Sequence, residues 1–168
     1  GNMSFQKAHN ISNELGEIVL SELINIDTNV TTTGYFSGQP FMLNKNFRIL
    51  EVGFTANGVT AVGTAIRVET VTNAAQVDIV CDNQSIPVLQ GPNLATGAIG
   101  QTISTNKSDS SVASGWTFNE AALTTVLDAD GVPRLLAGQA LRYVTSAHAG
   151  TGWGHLFVRL APETIYKD

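Results

Sequence analysis

The sequence is short of cysteine and of charge, and each shortage excludes a class of protein. It holds one cysteine, Cys81, so neither an intrachain disulfide nor a cysteine-rich metal site can form. Charged residues make up 14% of the chain, against about 25% in an average soluble domain. Nine Lys and Arg are outnumbered by 14 Asp and Glu and form no basic cluster. This argues against nucleic acid as a direct partner, because such binding depends on grouped cations.

Long apolar runs are also missing. No 18 consecutive residues are apolar, so we expect neither a transmembrane helix nor a membrane partner. Residues 1–10 lack the basic segment followed by an apolar stretch that marks a signal peptide. The sequence therefore predicts no secretion signal and no membrane anchor.

The residues that are abundant favour β-structure. The 168 residues include 18 Thr and 16 Gly. Threonine fits a pleated, half-buried surface, and glycine supplies the backbone angles of tight turns. The length fits one domain, which is large enough to bury a core without disulfides or metal.

Apolar and polar residues alternate at period two in several short segments. Residues 47–55 place Leu50, Val52 and Phe54 on one face, and residues 64–72 place Ile66 and Val68 on one face. Further strands are predicted at 76–82, 114–118, 123–127, 139–146 and 153–160, while 17–28 is ambiguous. No segment carries a long helical period. Seven or eight closely spaced strands predict an all-β fold, either an antiparallel β-sandwich or a jelly-roll-like barrel.

The chain divides into an arm and one domain. Residues 1–17 are polar and carry no clean period, so they are predicted to form an N-terminal arm, with a single β-sandwich domain at 18–168. Residues 83–113 hold two prolines and a polar tract and are the least core-like part of that domain. They are predicted to be a solvated connector or a specific binding loop.

Catalytic groups do not converge in the sequence. The three histidines are His9 in the arm, His148 in a glycine-rich loop and His155 at the start of the last strand. No nucleophile elbow accompanies them, and we expect His155 to lie on an outer or interface face of the sheet. Cys81 follows apolar residues and is predicted to be a small core residue. The sequence predicts a protein that is not an enzyme.

Metal and cofactor sites are not predicted either. Asp128 and Asp130 precede Gly131 and resemble the opening of a calcium loop. The twelfth position of that loop is Gln139 instead of the bidentate glutamate that calcium requires. A plain turn is the favoured interpretation, and we expect neither a metal nor a cofactor.

Three aromatic residues are candidates for binding. Trp116 and Trp153 are the only tryptophans, and either could be a platform for a sugar ring, although packing in the core or an interface is favoured. Phe157 alternates out of the face formed by Leu156 and Val158. An apolar residue on the outer face of a terminal strand predicts a contact with another protein.

The C-terminal quarter carries a resemblance to a family. Residues 121–162 contain an Asp-Gly turn, the segment 135–145 (LLAGQALRYVT), a Gly-Thr-Gly linker and a final strand, 155–162 (HLFVRLAP). This arrangement resembles the C-terminal half of small β-sandwich proteins of tailed bacteriophages, including capsid decoration, or cement, proteins. The resemblance implies a virion protein, made in the host cytoplasm, that stabilises the outer surface of the major capsid protein lattice, often as a homotrimer.

Two functional hypotheses follow. In the first, the chain decorates a capsid, and Phe5 and Ile11 of the arm join Phe157 as contacts with capsid or neighbouring protomer. In the second, it is a carbohydrate- or receptor-binding β-sandwich of a phage tail or fibre, and Trp116 or Trp153 supplies an aromatic platform.

Overall fold

Alternation of apolar and polar side chains makes most of the described chain β-strand. The computed structural model describes residues 16–26, 32–36, 45–57, 66–72, 75–79, 100, 102–111, 115–145 and 152–163. They form β1 (Ile18–Ile26), β2 (Thr32–Tyr35), β3 (Phe47–Ala56), β4 (Ile66–Thr72), β5 (Ala75–Asp78), β6 (Thr102–Ser104), α1 (Glu120–Leu123), β7 (Arg134–Leu135), β8 (Ala140–Thr145) and β9 (Gly152–Pro162). Within these ranges, no helix has the length and apolar character needed to cross a bilayer.

The strands form two antiparallel sheets. In the first sheet β1, β9 and β3 lie side by side, and β6 and β7 both pair with β3. Because β9 runs along nearly the whole of β3, β6 and β7 share the opposite edge of that strand. The second sheet has the order β2-β8-β4-β5. The chain passes repeatedly from one sheet to the other, which brings together strands that are far apart in sequence.

One apolar cluster fills the space between the sheets. It joins Val52, Phe54 and Leu156 of the first sheet to Val68 and Leu141 of the second, all fully buried. This confirms the predicted antiparallel all-β fold and the sandwich arrangement of its sheets. The described residues contain nine strands, instead of the seven or eight predicted.

A bulge in β3 changes which of its residues face the core. The pairing with β9 shifts between Ile49 and Glu51, so Leu50 is an extra residue and the alternation reverses after it. Ile49 and Val52 are both fully buried, whereas Leu50 is half-buried. The prediction that Leu50 shares a face with Val52 is therefore wrong, because strict period two cannot anticipate an inserted residue.

Two further predictions differ from the structure. The segment 83–113 includes β6, which the pattern missed because a three-residue strand is too short to show alternation. Residues 114–118 and 123–127 do not form the two strands expected of them in the described part of the chain. Instead, α1 makes one helical turn after Asn119, whose carbonyl accepts from the N–H of Leu123 at 3.2 Å. Two consecutive alanines favour this turn.

Candidate binding face

The side chains of β1, β9 and β3 that point away from the core form one surface of the first sheet, called the outer face below. Its residues lie in rows because directly paired residues of adjacent strands point to the same side. The rows are Val19–Arg159–Glu51, Ser21–Phe157–Gly53, Leu23–His155–Thr55 and Asn25–Trp153.

Exposed apolar side chains are concentrated on β1 and β9. Five large apolar side chains are exposed in the described part of the chain, and only Tyr35 lies on another strand. Val19, Leu23 and Trp153 are 58%, 52% and 42% exposed on the outer face. Ile18, 38% exposed, is the first residue of β1. Single exposed apolar residues are ordinary, but a group on one rigid sheet is characteristic of a contact surface.

The ring of Phe157 lies over Gly53 of the neighbouring strand β3. Phe157 is half-buried and lies on the outer face, as its alternation predicted. An added Cβ at Gly53 would lie 2.3 Å from Cζ of the Phe157 ring, so only glycine leaves room for the ring in this position. The ring therefore covers Gly53 and is an apolar element at the centre of the outer face.

Polar side chains surround these apolar residues. His155 Nδ1 and Asn57 Oδ1 are 2.6 Å apart, and the hydroxyl groups of Thr55 and Thr102 are 2.8 Å apart. His155 is exposed on the outer face, where the sequence placed it. These groups can exchange hydrogen bonds with a partner that covers the apolar residues.

The charged residues of the outer face pair with one another. Arg159 donates through Nε to Glu51 Oε1 at 3.3 Å and through Nη1 to Glu17 Oε1 at 2.8 Å. Ser104 Oγ donates to Glu51 Oε2 at 2.5 Å, and Glu51 is 3% exposed. Burial raises the pKa of Glu51; Ser104 and Arg159 oppose the rise and Asp109 adds to it. The outer face thus presents little uncompensated charge.

Trp116 does not belong to this surface. Trp116 is 3% exposed and packs in the core cluster, which agrees with the favoured interpretation of this residue as a packing residue. Trp116 also borders an open groove of about 460 Å³, together with Thr105, Lys107, Thr117, Phe118 and Glu120. Of the two tryptophans, Trp153 alone has an exposed side chain.

Several predicted residues cannot be placed. Phe5, Ile11, His9, His148 and Cys81 lie outside the described residues. The structure therefore places two of the predicted site residues, Phe157 and Trp153, on the outer face beside His155, and it adds Val19 and Leu23. Alternation in 17–28 was the available signal for those two, but the sequence alone did not show that β1 pairs with β9.

The acidic pair near residue 130 forms a turn that is fixed to β3. Asp128 Oδ1 accepts from the N–H groups of Asp130 at 2.8 Å and Val132 at 2.9 Å, and Oδ2 accepts from Arg48 Nε at 2.7 Å. Burial disfavours the charged form of Asp128, but these hydrogen bonds outweigh it and lower its pKa. Gly131 has φ 79°, as the predicted turn requires. In the part of the chain that the structure describes, no group of three His, Cys, Asp or Glu is placed to hold a metal.

A polar row crosses the corresponding face of the second sheet. Tyr35, Arg142, Glu69 and Asp78 are directly paired across β2, β8, β4 and β5. Glu69 is 1% exposed and accepts from Arg142 Nε at 2.9 Å and Nη2 at 2.5 Å, and from Arg67. A carboxylate this buried needs such partners to remain charged. The row ties the four strands together, in contrast to the exposed apolar residues of the outer face.

Two comparisons with known proteins, against family models and against curated sequences, found no match. The chain matches no model of a known protein family, and no curated protein sequence matches it significantly.

Proposed function

We propose that this chain is a virion structural protein, a capsid decoration protein of a tailed bacteriophage. It binds the outer surface of the major capsid protein lattice and stabilises it. The observation that carries the proposal is the outer face, where Val19, Leu23 and Trp153 are exposed beside Phe157 on one sheet. The resemblance of residues 121–162 to decoration proteins supplies the choice of partner.

The composition of the outer face supports protein–protein contact. Aromatic residues are enriched at the centre of protein interfaces and unpaired charges are depleted there. On the outer face, Trp153 and Phe157 supply aromatic area, and Arg159 is already paired with Glu17 and Glu51. Covering these residues therefore removes apolar area from water without stranding a charge.

The predicted arm extends this contact. Residues 1–17 precede β1, and Glu17 at the end of the predicted arm pairs with Arg159 of the outer face, so the arm joins the domain next to the proposed docking surface. Phe5 and Ile11 are its proposed anchors on the capsid or on a neighbouring protomer. Burying one such side chain contributes roughly 1.5–3 kcal/mol before the cost of ordering the arm. A homo-oligomer is proposed as well, and the expected trimer depends on the resemblance alone.

Co-sedimentation with undecorated capsids tests this function. Truncating a buried tryptophan anchor commonly costs about 2 kcal/mol, so Trp153→Ala should weaken binding roughly thirtyfold. Tyr35→Ala is the matched control, because Tyr35 is an aromatic of similar exposure, 46%, on the second sheet. Equal losses for both variants, or no binding by the parent protein, would contradict the proposal.

A second candidate function is carbohydrate or receptor binding by a tail or fibre module. The observation that favours it is the exposed Trp153 next to Asn25, with His155 and Asn57 on the same surface. An aromatic ring beside amide and imidazole groups fits the apolar face and hydroxyl groups of a sugar. Saturable binding in a glycan series that is lost in Trp153→Ala, without any binding to capsids, would favour this function.

A further inference from the structure

The first sheet ends in a long strand, one edge of which has no partner among the described strands. β1 pairs with β9 over nine residues, Ile18–Ile26, in continuous register, and no other described strand pairs with its second edge. Natural proteins protect open edges with lysine, proline, bulges or very short strands. The sequence of β1, IVLSELINI, has none of these features. The open edge is therefore a template for pairing with another strand.

Glu22 is the one charge within β1, and an inward-pointing charge can itself protect an edge. Its partner in β9 is Leu156, so its side chain lies on the inner side of the sheet. Burial, and then the charge of Glu22, raise the pKa of Tyr143 in the second sheet. Glu22 is therefore directed towards the second sheet, on the inner side of β1.

We propose that β1 pairs antiparallel with β1 of a second copy across a two-fold axis at Ser21. The two first sheets then form one continuous sheet, and the outer faces of both copies become one surface. The inference goes beyond capsid binding, because the pairing needs only the chain itself. It also replaces the trimer expected from the resemblance with an assembly built on a two-fold contact.

The length of β1 identifies a second copy as the occupant. The other edges in the described chain are short: β2 and β5 have four residues each, β6 three and β7 two. Among described strands, a second β1 offers an unpaired edge of equal length. Pairing like with like also closes the interface, because each copy uses the same edge.

The side chains select the register. With Ser21 opposite Ser21, Val19 lies opposite Leu23 of the second copy, and Ile18 lies opposite its Ile24. Three exposed apolar residues of each copy thus gain an apolar neighbour. A register with the two-fold axis at Glu22 instead of Ser21 would place the Glu22 carboxylates of the two copies opposite each other, which is destabilising.

Disulfide cross-linking tests the register. Directly opposite residues of antiparallel strands have Cα atoms about 4.5–5.5 Å apart, within the range of a disulfide. In a Cys81→Ser background, Ser21→Cys should form a covalent dimer under mild oxidation. Asn25→Cys is the control, since two copies of Asn25 would be about 27 Å apart at 3.3–3.4 Å per residue. Equal cross-linking of both variants, or of neither, would overturn the proposed register.

Sedimentation velocity tests the interface without a new cysteine. The parent protein should sediment with twice the mass of the chain at micromolar concentration. Val19→Lys should raise the dimer dissociation constant at least tenfold, whereas Gln76→Lys, on the edge strand of the other sheet, should not. A parent protein that stays monomeric, or a trimer that Val19→Lys leaves intact, would overturn the proposal. Capsid binding by such a monomer would leave the proposed function standing.

Discussion

Replacing Gly53 by alanine tests whether the centre of the outer face is as tightly built as its geometry indicates. The new Cβ would lie 2.3 Å from Cζ and 2.7 Å from Cε1 of Phe157, whereas carbon atoms in contact are ordinarily about 3.5–4.0 Å apart. The ring must leave the sheet or the strands must separate. Overpacking of this kind costs about 1–3 kcal/mol of unfolding free energy.

Once the Phe157 ring is removed, Gly53→Ala should no longer lower the unfolding free energy. Alanine is favoured over glycine inside a strand by roughly 0.5–1 kcal/mol, so Gly53→Ala should be neutral or stabilising in a Phe157→Ala background. The coupling between the two sites is then about 1–4 kcal/mol. Urea denaturation of the parent, the two single variants and the double variant measures it.

Gly154→Ala supplies the control for this cycle. Its Cβ would lie 2.3 Å from the backbone oxygen of Thr55, which cannot rotate away, so Phe157→Ala should not rescue it. If Gly53→Ala costs the same with and without the Phe157 ring, the reasoning about the outer face is refuted.

Three further predictions concern two buried carboxylates, one in each sheet, and the turn at Asp128. Because the pKa of Glu51 is raised in the folded state, the folded protein binds the proton of this carboxyl more tightly than the unfolded chain does. The unfolding free energy should therefore fall as pH rises from about 4.5 through the raised pKa. Denaturation midpoints measured from pH 4 to 7 should show this decline for the parent protein and lack it for Glu51→Gln. Asp128→Ala should lower the unfolding free energy by about 1–3 kcal/mol, because two N–H groups and Arg48 lose their acceptor. Asp130→Ala is the control, since the Asp130 side chain is 80% exposed, and it should change the unfolding free energy by less than about 0.5 kcal/mol. Urea midpoints that move equally in the two variants would refute this prediction. Glu69→Ala should lower the unfolding free energy by about 3–5 kcal/mol, because the Arg142 side chain, 16% exposed, is left without its carboxylate partner. A thermal midpoint within a degree of the parent's would count against this prediction.

Alternation predicted the features that depend on one strand alone. Phe157 was expected on the face opposite Leu156 and Val158, and the register with β3 places it there. Leu50 was misplaced, because the bulge after Ile49 is a property of the pairing between β3 and β9. The pattern of one strand carries no information about an extra residue opposite its partner.

The polar networks could not be predicted for a different reason. Glu51 pairs with Arg159 over 108 residues of sequence, and Glu69 with Arg142 over 73. In the segment 64–72, alternation with Ile66 and Val68 puts Glu69 on the opposite, outward face, where a charged residue is expected to be solvated. Its burial depends on Arg142, which reaches it only after β8 has paired with β4, as well as on Arg67, two residues before it on the same strand. Trp116 is different, because packing in the core or an interface was the favoured interpretation of its sequence and the structure buries it in the core cluster.

Radical footprinting of the protein bound to capsids tests the central claim most directly. The claim is that the outer face of the first sheet is the surface that binding covers. Trp153 and Leu23 should be oxidised several times more slowly on the capsid than in the free protein, while Tyr35 on the second sheet keeps its free rate. Protection of Tyr35 with Trp153 still oxidised at its free rate would contradict the claim.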